Sequence, residues 1–380
     1  MPRSRPAGLV LLAALLLAGG CAAGGTGSSA PTAGESQSAA PTAAAASAPA
    51  SGATAAAVAE PAPGAEPVTV RTAVLGILAE SGIYIALARG YFAEEGITPE
   101  FTTIDTGARA IPLLATGQIQ TSGGGFSPAY VNAAQRGIGV KMVASLSRNE
   151  PDGNSGWTVV RKDLIDSGQV RDWPDLRGRT VAVPGRGSVN DYSLERGLQL
   201  GGLTLADVEL VEMPFPDMVA ALGNGNIEAA YMTEPLATLA AERGVAVKWQ
   251  GTGMHLPGVT PALLSYAPSF IEEQPDVARR WMVAYLRGAR DYNTAFRHGE
   301  GKADVVRILT ENTTVKDPAL YDRIGMSTID PDGTINVASI ADQAAWYAEH
   351  GLLPPGVDVT TLMDARFRDA ALARLGPYQP

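Results

Sequence analysis

Arg177-Gly-Arg-Thr-Val-Ala-Val-Pro-Gly-Arg-Gly-Ser-Val-Asn-Asp-Tyr192 is the stretch that decides how this chain is read. Residues 180–183 are β-branched and apolar, which is the signature of a short buried strand. Pro184-Gly185-Arg186-Gly187 breaks that strand, and a helical run follows over 193–200. Ser188 or Asn190 stands where a cap is needed, because a short side-chain oxygen accepts from the free amides of a helix's first turn. Strand, glycine turn and helix start together aim unpaired N–H groups and the positive end of the helix dipole at one point. Taken alone, the stretch is equally an ordinary strand-to-helix turn. Its recurrence elsewhere tips the balance toward a binding site.

On the N-terminal side the pattern begins with a strand over 68–75, a break at Glu80-Ser81-Gly82 and a helix over 83–90. Strands over 98–104, 118–123 and 140–146 alternate with helices over 106–116 and 129–136. Ser127-Pro128 reads as a cap followed by proline at the first helical position. After a further strand over 157–161 comes the opening stretch. Beyond it lie strands over 207–212, 227–232 and 245–249, with a helix over 218–222 capped by Asp217 and another opened by Thr233-Glu234-Pro235. A strand over 262–266 precedes a mostly helical end: 275–293, 302–310, 318–325, 339–350 and 363–375. Alternation on this scale predicts βαβ units and a parallel sheet. Polar segments over 147–155 and 251–261 read as crossings between two lobes, 68–150 with 262–380 and 151–261.

At 380 residues the chain exceeds one ordinary core. Charged residues make up 18% and hydrophobic ones 46%, which suits a soluble body. The net charge of −10 argues against nucleic acid as a partner, since phosphate binding needs a basic face. The single cysteine, Cys21, allows neither an intramolecular disulfide nor a cysteine-based metal site. His255, His298 and His350 are far apart in sequence, and Asp330-Pro-Asp-Gly333 lacks calcium-loop spacing and reads as a turn. No metal and no cofactor is expected.

Residues 1–21 read as a secretory leader. Arg3 and Arg5 give the positive start, and residues 9–17 give an apolar segment too short to span a bilayer. The leader ends Leu17-Ala18-Gly19-Gly20-Cys21, which resembles a bacterial lipobox with Ala18 where leucine is usual. The resemblance implies a lipid anchor on Cys21 and a place on the extracytoplasmic face of the cell membrane. Residues 22–67 are mostly Ala, Ser, Thr, Pro and Gly and predict a disordered tether. Its ends would lie ~35–40 Å apart.

Several segments carry a further resemblance. Gly82-Ile-Tyr84-Ile-Ala86, Gly90-Tyr91-Phe92 and Glu95-Gly96-Ile97 come first. Leu113-Leu-Ala-Thr-Gly117 and Ala134-Gln-Arg-Gly137 follow. Then come Asp175-Leu-Arg-Gly178-Arg-Thr-Val-Ala-Val-Pro184-Gly185, Gly225-Asn-Ile-Glu-Ala-Ala230 with Glu234-Pro235, and Asp330-Pro-Asp-Gly333 with Gln343-Ala-Ala-Trp-Tyr347 and Gly351. In this order and spacing they resemble ABC-transporter substrate-binding proteins of the thiamine-pyrimidine-synthase-like family, related to sulfonate, taurine and nitrate binders. The resemblance implies a two-lobed α/β fold of the periplasmic-binding-protein type II class, each lobe a mixed sheet flanked by helices, joined by two hinge strands. It also implies a monomer that delivers a small solute to an ABC permease and its ATPase.

Ligands of open α/β sheets bind beyond the carboxyl ends of strands. Four loops here occupy such ends and begin helices: 80–84, 122–127, 184–192 and 231–235. The candidate binding residues are therefore Ser81, Tyr84, Gly124, Phe126, Ser127, Trp157, Ser188, Asn190, Asp191, Tyr192, Tyr231 and Glu234. If Tyr84, Phe126, Trp157, Tyr192 and Tyr231 face the cleft, it suits a flat heterocycle such as riboflavin or a thiamine-pyrimidine precursor. An alkanesulfonate, taurine or nitrate anion would instead call on Arg186 and Ser188. A third alternative is the family's pyrimidine-synthase chemistry, which uses an active-site histidine and a cysteine cluster. Here Glu80 and Ser81 precede Gly82, no histidine precedes His255, and Cys21 lies in the leader, so no enzyme activity is expected.

Overall fold

The computed structural model describes residues 58–61, 66–104, 106–151, 153 and 155–379. The expected leader, the Cys21 anchor and most of the expected tether lie outside the described residues. Within the stretch expected to be disordered, Val58 packs partly buried against a hydrophobic core. Ordered contact therefore begins before residue 68.

The chain opens with β1 (Val68–Val74), a short 3-10 turn (Leu78–Glu80), α1 (Ser81–Ala88), α2 (Tyr91–Glu94) and β2 (Ile97–Thr103). Next come α3 (Gly107–Ala115), β3 (Thr121–Gly124), α4 (Pro128–Gln135) and β4 (Lys141–Ser147). After the first crossing lie β5 (Gly156–Arg161), α5 (Lys162–Asp166), β6 (Thr180–Val183), α6 (Val189–Leu200) and β7 (Glu209–Glu212). Then follow α7 (Phe215–Gly223), β8 (Ala229–Thr233), α8 (Leu236–Glu242), β9 (Ala246–Gly251) and α9 (Thr252–His255). The return brings β10 (Ala262–Tyr266), α10 (Pro268–Glu273), α11 (Pro275–His298), α12 (Lys302–Asn312), α13 (Val337–Glu349) and α14 (Arg366–Leu375).

The strands form two sheets, β2-β1-β3-β10-β4 and β7-β6-β8-β5-β9. β1 runs parallel to β2 and β3, while β10 is antiparallel to β3 and β4. β6 runs parallel to β7 and β8, while β5 is antiparallel to β8 and β9. The parallel sheet read from alternation alone is thus corrected to a mixed one, as the family resemblance implied. The reversed strand in each sheet is the one the chain enters after crossing from the other lobe, so it arrives from the opposite direction. The two lobes share one topology, in which β1 and α1 correspond to β6 and α6. The crossings pair with each other: Asn149 N donates to Val259 O at 2.8 Å and Gly258 N to Asn149 O at 2.7 Å.

Lobe I is built around α11, whose Trp281, Tyr285 and Leu286 are fully buried. α1 crosses it at very short range. A Cβ on Gly288 would lie 2.0 Å from Gly82 O, so this approach requires glycine. Lobe II has an apolar layer on each face of its sheet, one around Trp173, Leu194 and Leu198 and one around Met218, Leu222 and Met232.

Local differences from the sequence reading have local causes. α6 starts at Val189 rather than 193, because Ser188 is its cap and accepts from Asn190 N. Asp217 caps nothing; it lies in the first turn of a helix that already began at Phe215. The segment expected as a helix over 318–325 is a 3-10 turn, Pro318–Asp322, capped by Asp317.

Candidate functional site

The strand-end loops of the two lobes meet. A Cβ on Gly125, just past β3, would lie 3.2 Å from Val189 Cγ1 at the start of α6 and 3.1 Å from Pro261 O in the second crossing. Around this junction α6 is tied to α13 of lobe I. Tyr192 Oη donates to Asp342 Oδ2 at 2.6 Å, and Arg196 reaches Asp342 Oδ1 at 2.8 Å. Trp346 Nε1 donates to the buried Glu195, which also faces His350 Nε2 at 3.0 Å. On the other flank Gly325 N donates to Glu234 Oε1 at 3.2 Å, and Arg323 pairs with Glu242 at 3.0 Å. The lobes are closed on one another.

Burial decides the fate of the expected aromatic lining. Tyr84, Phe126, Tyr192 and Tyr231 are 1–6% exposed and packed against other protein groups in this closed arrangement. Tyr84 points into lobe I, with its ring 6.0 Å from Phe101 and its hydroxyl donating to Glu80. Phe126 packs on Tyr130 and Tyr347. Tyr192 is held by Asp342. Tyr231 joins a lobe II core layer, its Oη 3.4 Å from Thr252 Oγ1. Trp157 is half-buried on β5, with Lys248 Nζ 4.5 Å from its ring centre.

The polar candidates divide sharply. Ser81 is buried and donates to Leu78 O, so its hydroxyl is spent inside lobe I. Gly124 makes room for protein rather than ligand, since a Cβ there would lie 2.7 Å from Gly107 Cα. Ser188 donates to Gly185 O while capping α6. Arg186, a candidate anion contact, donates to Leu210 O at 2.5 Å. Glu234 accepts from Lys248 Nζ at 2.6 Å and from Thr238 N at 3.0 Å. Asn190 is half-buried in the first turn of α6.

Two candidates keep unused capacity. Ser127 stands at the N-cap of α4 but makes no side-chain cap bond, and its buried Oγ has no partner among the described residues. Asp191 is buried; Oδ2 accepts from Gly187 N at 2.7 Å, while Oδ1 has no partner. Burial pushes the Asp191 carboxyl up to about 6, and its charge is felt by Tyr347. Tyr347 Oη in turn donates to Phe126 O, one residue from Ser127. These unfilled atoms therefore belong to one neighbourhood.

Sequence reasoning missed three contributors. Gln343 of α13 donates to Thr260 O beside the junction, and its buried Oε1 is unpartnered; Asn149 Nδ2 is unpartnered in the first crossing. Glu80 is wholly buried. Its carboxylate accepts from the amides of Leu75 at 2.9 Å, Gly76 at 2.8 Å and Ile77 at 3.3 Å, and from Tyr84 Oη at 3.2 Å. An acid a few residues past a strand end, just before a helix, was the available signal. It can reach back to the turn's free amides.

Among the described residues no group of three His, Cys, Asp or Glu side chains could hold a metal, and no helix is long and apolar enough to cross a membrane. A surface hollow of about 560 Å³ beside Arg161, Asn224 and Val245 lies at the opposite end of the lobe II sheet from the junction. A second, of about 520 Å³, lies beside the hinge at Arg148, Gly258 and Asn336.

Residues 79–295 match the family described as NMT1/THI5 like. The chain is 29% identical to a riboflavin-binding protein of Chloroflexus aurantiacus; the alignment covers 61% of this chain and 65% of that protein. It is 27% identical to the taurine-binding periplasmic protein of Escherichia coli, over 71% of this chain and 83% of that protein. A solved ligand-binding component of an ABC-type import system from Staphylococcus aureus, with zinc bound, superposes with a TM-score of 0.66. It is 14% identical, over 80% of this chain and 99% of that one. This likeness shows the two-lobed periplasmic-binding-protein fold.

Proposed function

The chain belongs to the NMT1/THI5-like family, and from that premise we propose that it is the solute-binding component of an ABC importer, holding a small, flat, N–H-bearing heterocycle between its lobes. Riboflavin or a thiamine-pyrimidine precursor has the required chemistry. The observation that carries this reading is the set of unfilled acceptors at the lobe junction. Gln343 Oε1 can only accept, Asp191 Oδ1 can only accept while Asp191 is ionised, and Ser127 Oγ can do either. A buried acceptor without a partner costs roughly 1–3 kcal/mol, so a ligand that donates to these atoms recovers that cost on binding. The groups an anion would need are already engaged: Arg186 on Leu210 O, Ser188 on Gly185 O and Lys248 on Glu234.

The second reading is an alkanesulfonate- or taurine-type solute, favoured by the longer alignment to the taurine-binding relative. It would require Arg186 to leave Leu210. Neither reading includes a reaction. In both, the lipid anchor on Cys21 holds the protein at the extracytoplasmic face, where it meets the permease and its ATPase as a monomer.

The test is mass spectrometry of small molecules released from protein denatured after purification from its native host. A flavin or aminopyrimidine supports the first reading, a sulfonate replaces it with the second, and a product chemically altered during incubation overturns both. Cys21→Ala should move the protein from the membrane to the soluble fraction; persistent membrane association would remove the anchor from the proposal.

A further inference from the structure

The turn after β1 is an anion site already filled from within. Three consecutive amides, those of Leu75, Gly76 and Ile77, point at one place, a concavity that ordinarily attracts an anion. Glu80 occupies it with both carboxylate oxygens, and Tyr84 Oη adds a fourth donor. The carboxylate also abuts β3: a Cβ on Gly123 would lie 2.5 Å from Glu80 Oε1. The filled turn thus lies directly beside the glycine run, 123–125, that reaches the lobe junction.

We propose that Glu80 is a specificity-determining residue: a built-in anion that occupies the amide nest of lobe I and excludes anionic solutes from the cleft. Two effects act together. No amide of the nest remains to bind a sulfonate or nitrate oxygen, and in its ionised form the carboxylate, in a low-dielectric surround, repels any anion brought alongside. Burial pushes the Glu80 carboxyl up to about 7, while the three amides and the Tyr84 phenol favour its ionised form. Asp191 adds a second acid on the facing lobe. This inference rests on the reading above only in placing the solute between the lobes.

The test removes the internal anion and offers external ones. In Glu80→Ala, formate and nitrate should fill the vacated nest, raising the variant's melting temperature far more than the wild type's. They should also bind at least about tenfold tighter to the variant by calorimetry. A folded Glu80→Ala protein with wild-type response to both anions overturns the inference. If Glu80→Ala does not fold, two measurements replace it. Glu80→Gln, which keeps the volume but turns an NH₂ toward the amides, should melt lower than wild type without anion rescue. Wild-type protein should show no calorimetric binding of nitrate or taurine. An unchanged Glu80→Gln melt, or saturable binding of either anion by wild type, also overturns the inference. Because formate rescue does not depend on the natural solute, its failure would leave the heterocycle reading standing. A released flavin or pyrimidine would support that reading independently.

Discussion

Two equivalent strand-to-helix turns, β1 to α1 in lobe I and β6 to α6 in lobe II, each hold a buried acid, and the two acids differ in one respect. Glu80, before α1, has donors on both oxygens: three amides and a phenol. Asp191, in the first turn of α6, has one amide on Oδ2 and nothing on Oδ1. The topology makes these turns counterparts, since β1 and β6 hold the same place in their sheets. Equal burial therefore does not mean equal role. The saturated acid supports its own lobe, and the unsaturated one is left with an acceptor that a ligand can use.

Deleting the saturated acid should have the largest effect. Glu80→Ala strands three amide donors and should lower stability by on the order of 3 kcal/mol, read by chemical denaturation. A loss under about 1 kcal/mol would mean that the nest contributes little. Deleting the unsaturated acid should do the reverse. Asp191→Asn should leave the unliganded protein as stable or more so, yet weaken solute binding by about 2 kcal/mol, the scale of a charge-assisted hydrogen bond. Calorimetry with the solute released from the native protein measures this, and unchanged affinity would remove Asp191 from the site.

pH sharpens the same contrast. Burial raises the Asp191 carboxyl from its ordinary value of 3.8 to about 6, so the folded chain holds this proton to higher pH than the unfolded chain does. Its contribution to unliganded stability is present below about pH 4 and is lost as pH rises toward about 6. Asp191→Asn should abolish that part of the slope. For an N–H donor solute, affinity should rise through the same window and flatten in the variant. A smaller effect is expected at the latch. Trp346→Phe removes one donor from Glu195 and should shift the lobes toward open by about 1 kcal/mol, read by a fluorophore pair across the cleft. Ser127→Ala should cost binding the least, on the order of 0.5 kcal/mol.

Much of the fold was legible because its signals are local. The apolar run at 180–183, Ser188 before α6 and Pro128 after Ser127 each fix an element from a few neighbours. Sheet direction was not local: β5 and β10 look like any other strand, and only the crossings reverse them. The loops that meet were legible for the same reason as the strands that end in them. Which way their side chains turn was not. Tyr84 and Phe126 sit on the expected loops, but Phe101 and Tyr347, farther off in sequence, draw their rings inward. Glu80 read as a mere strand breaker, because its partners are amides, and every residue but proline has one.

α6 carries Asp191 in its first turn and Tyr192, Glu195 and Arg196 immediately after. One rigid rod thus bears both the oxygen that would feel a guest and the side chains that clasp α13. Such a rod cannot swing its tip without moving its grip. A transporter that prised α13 loose would withdraw Asp191 in the same stroke, and unloading would need no second trigger.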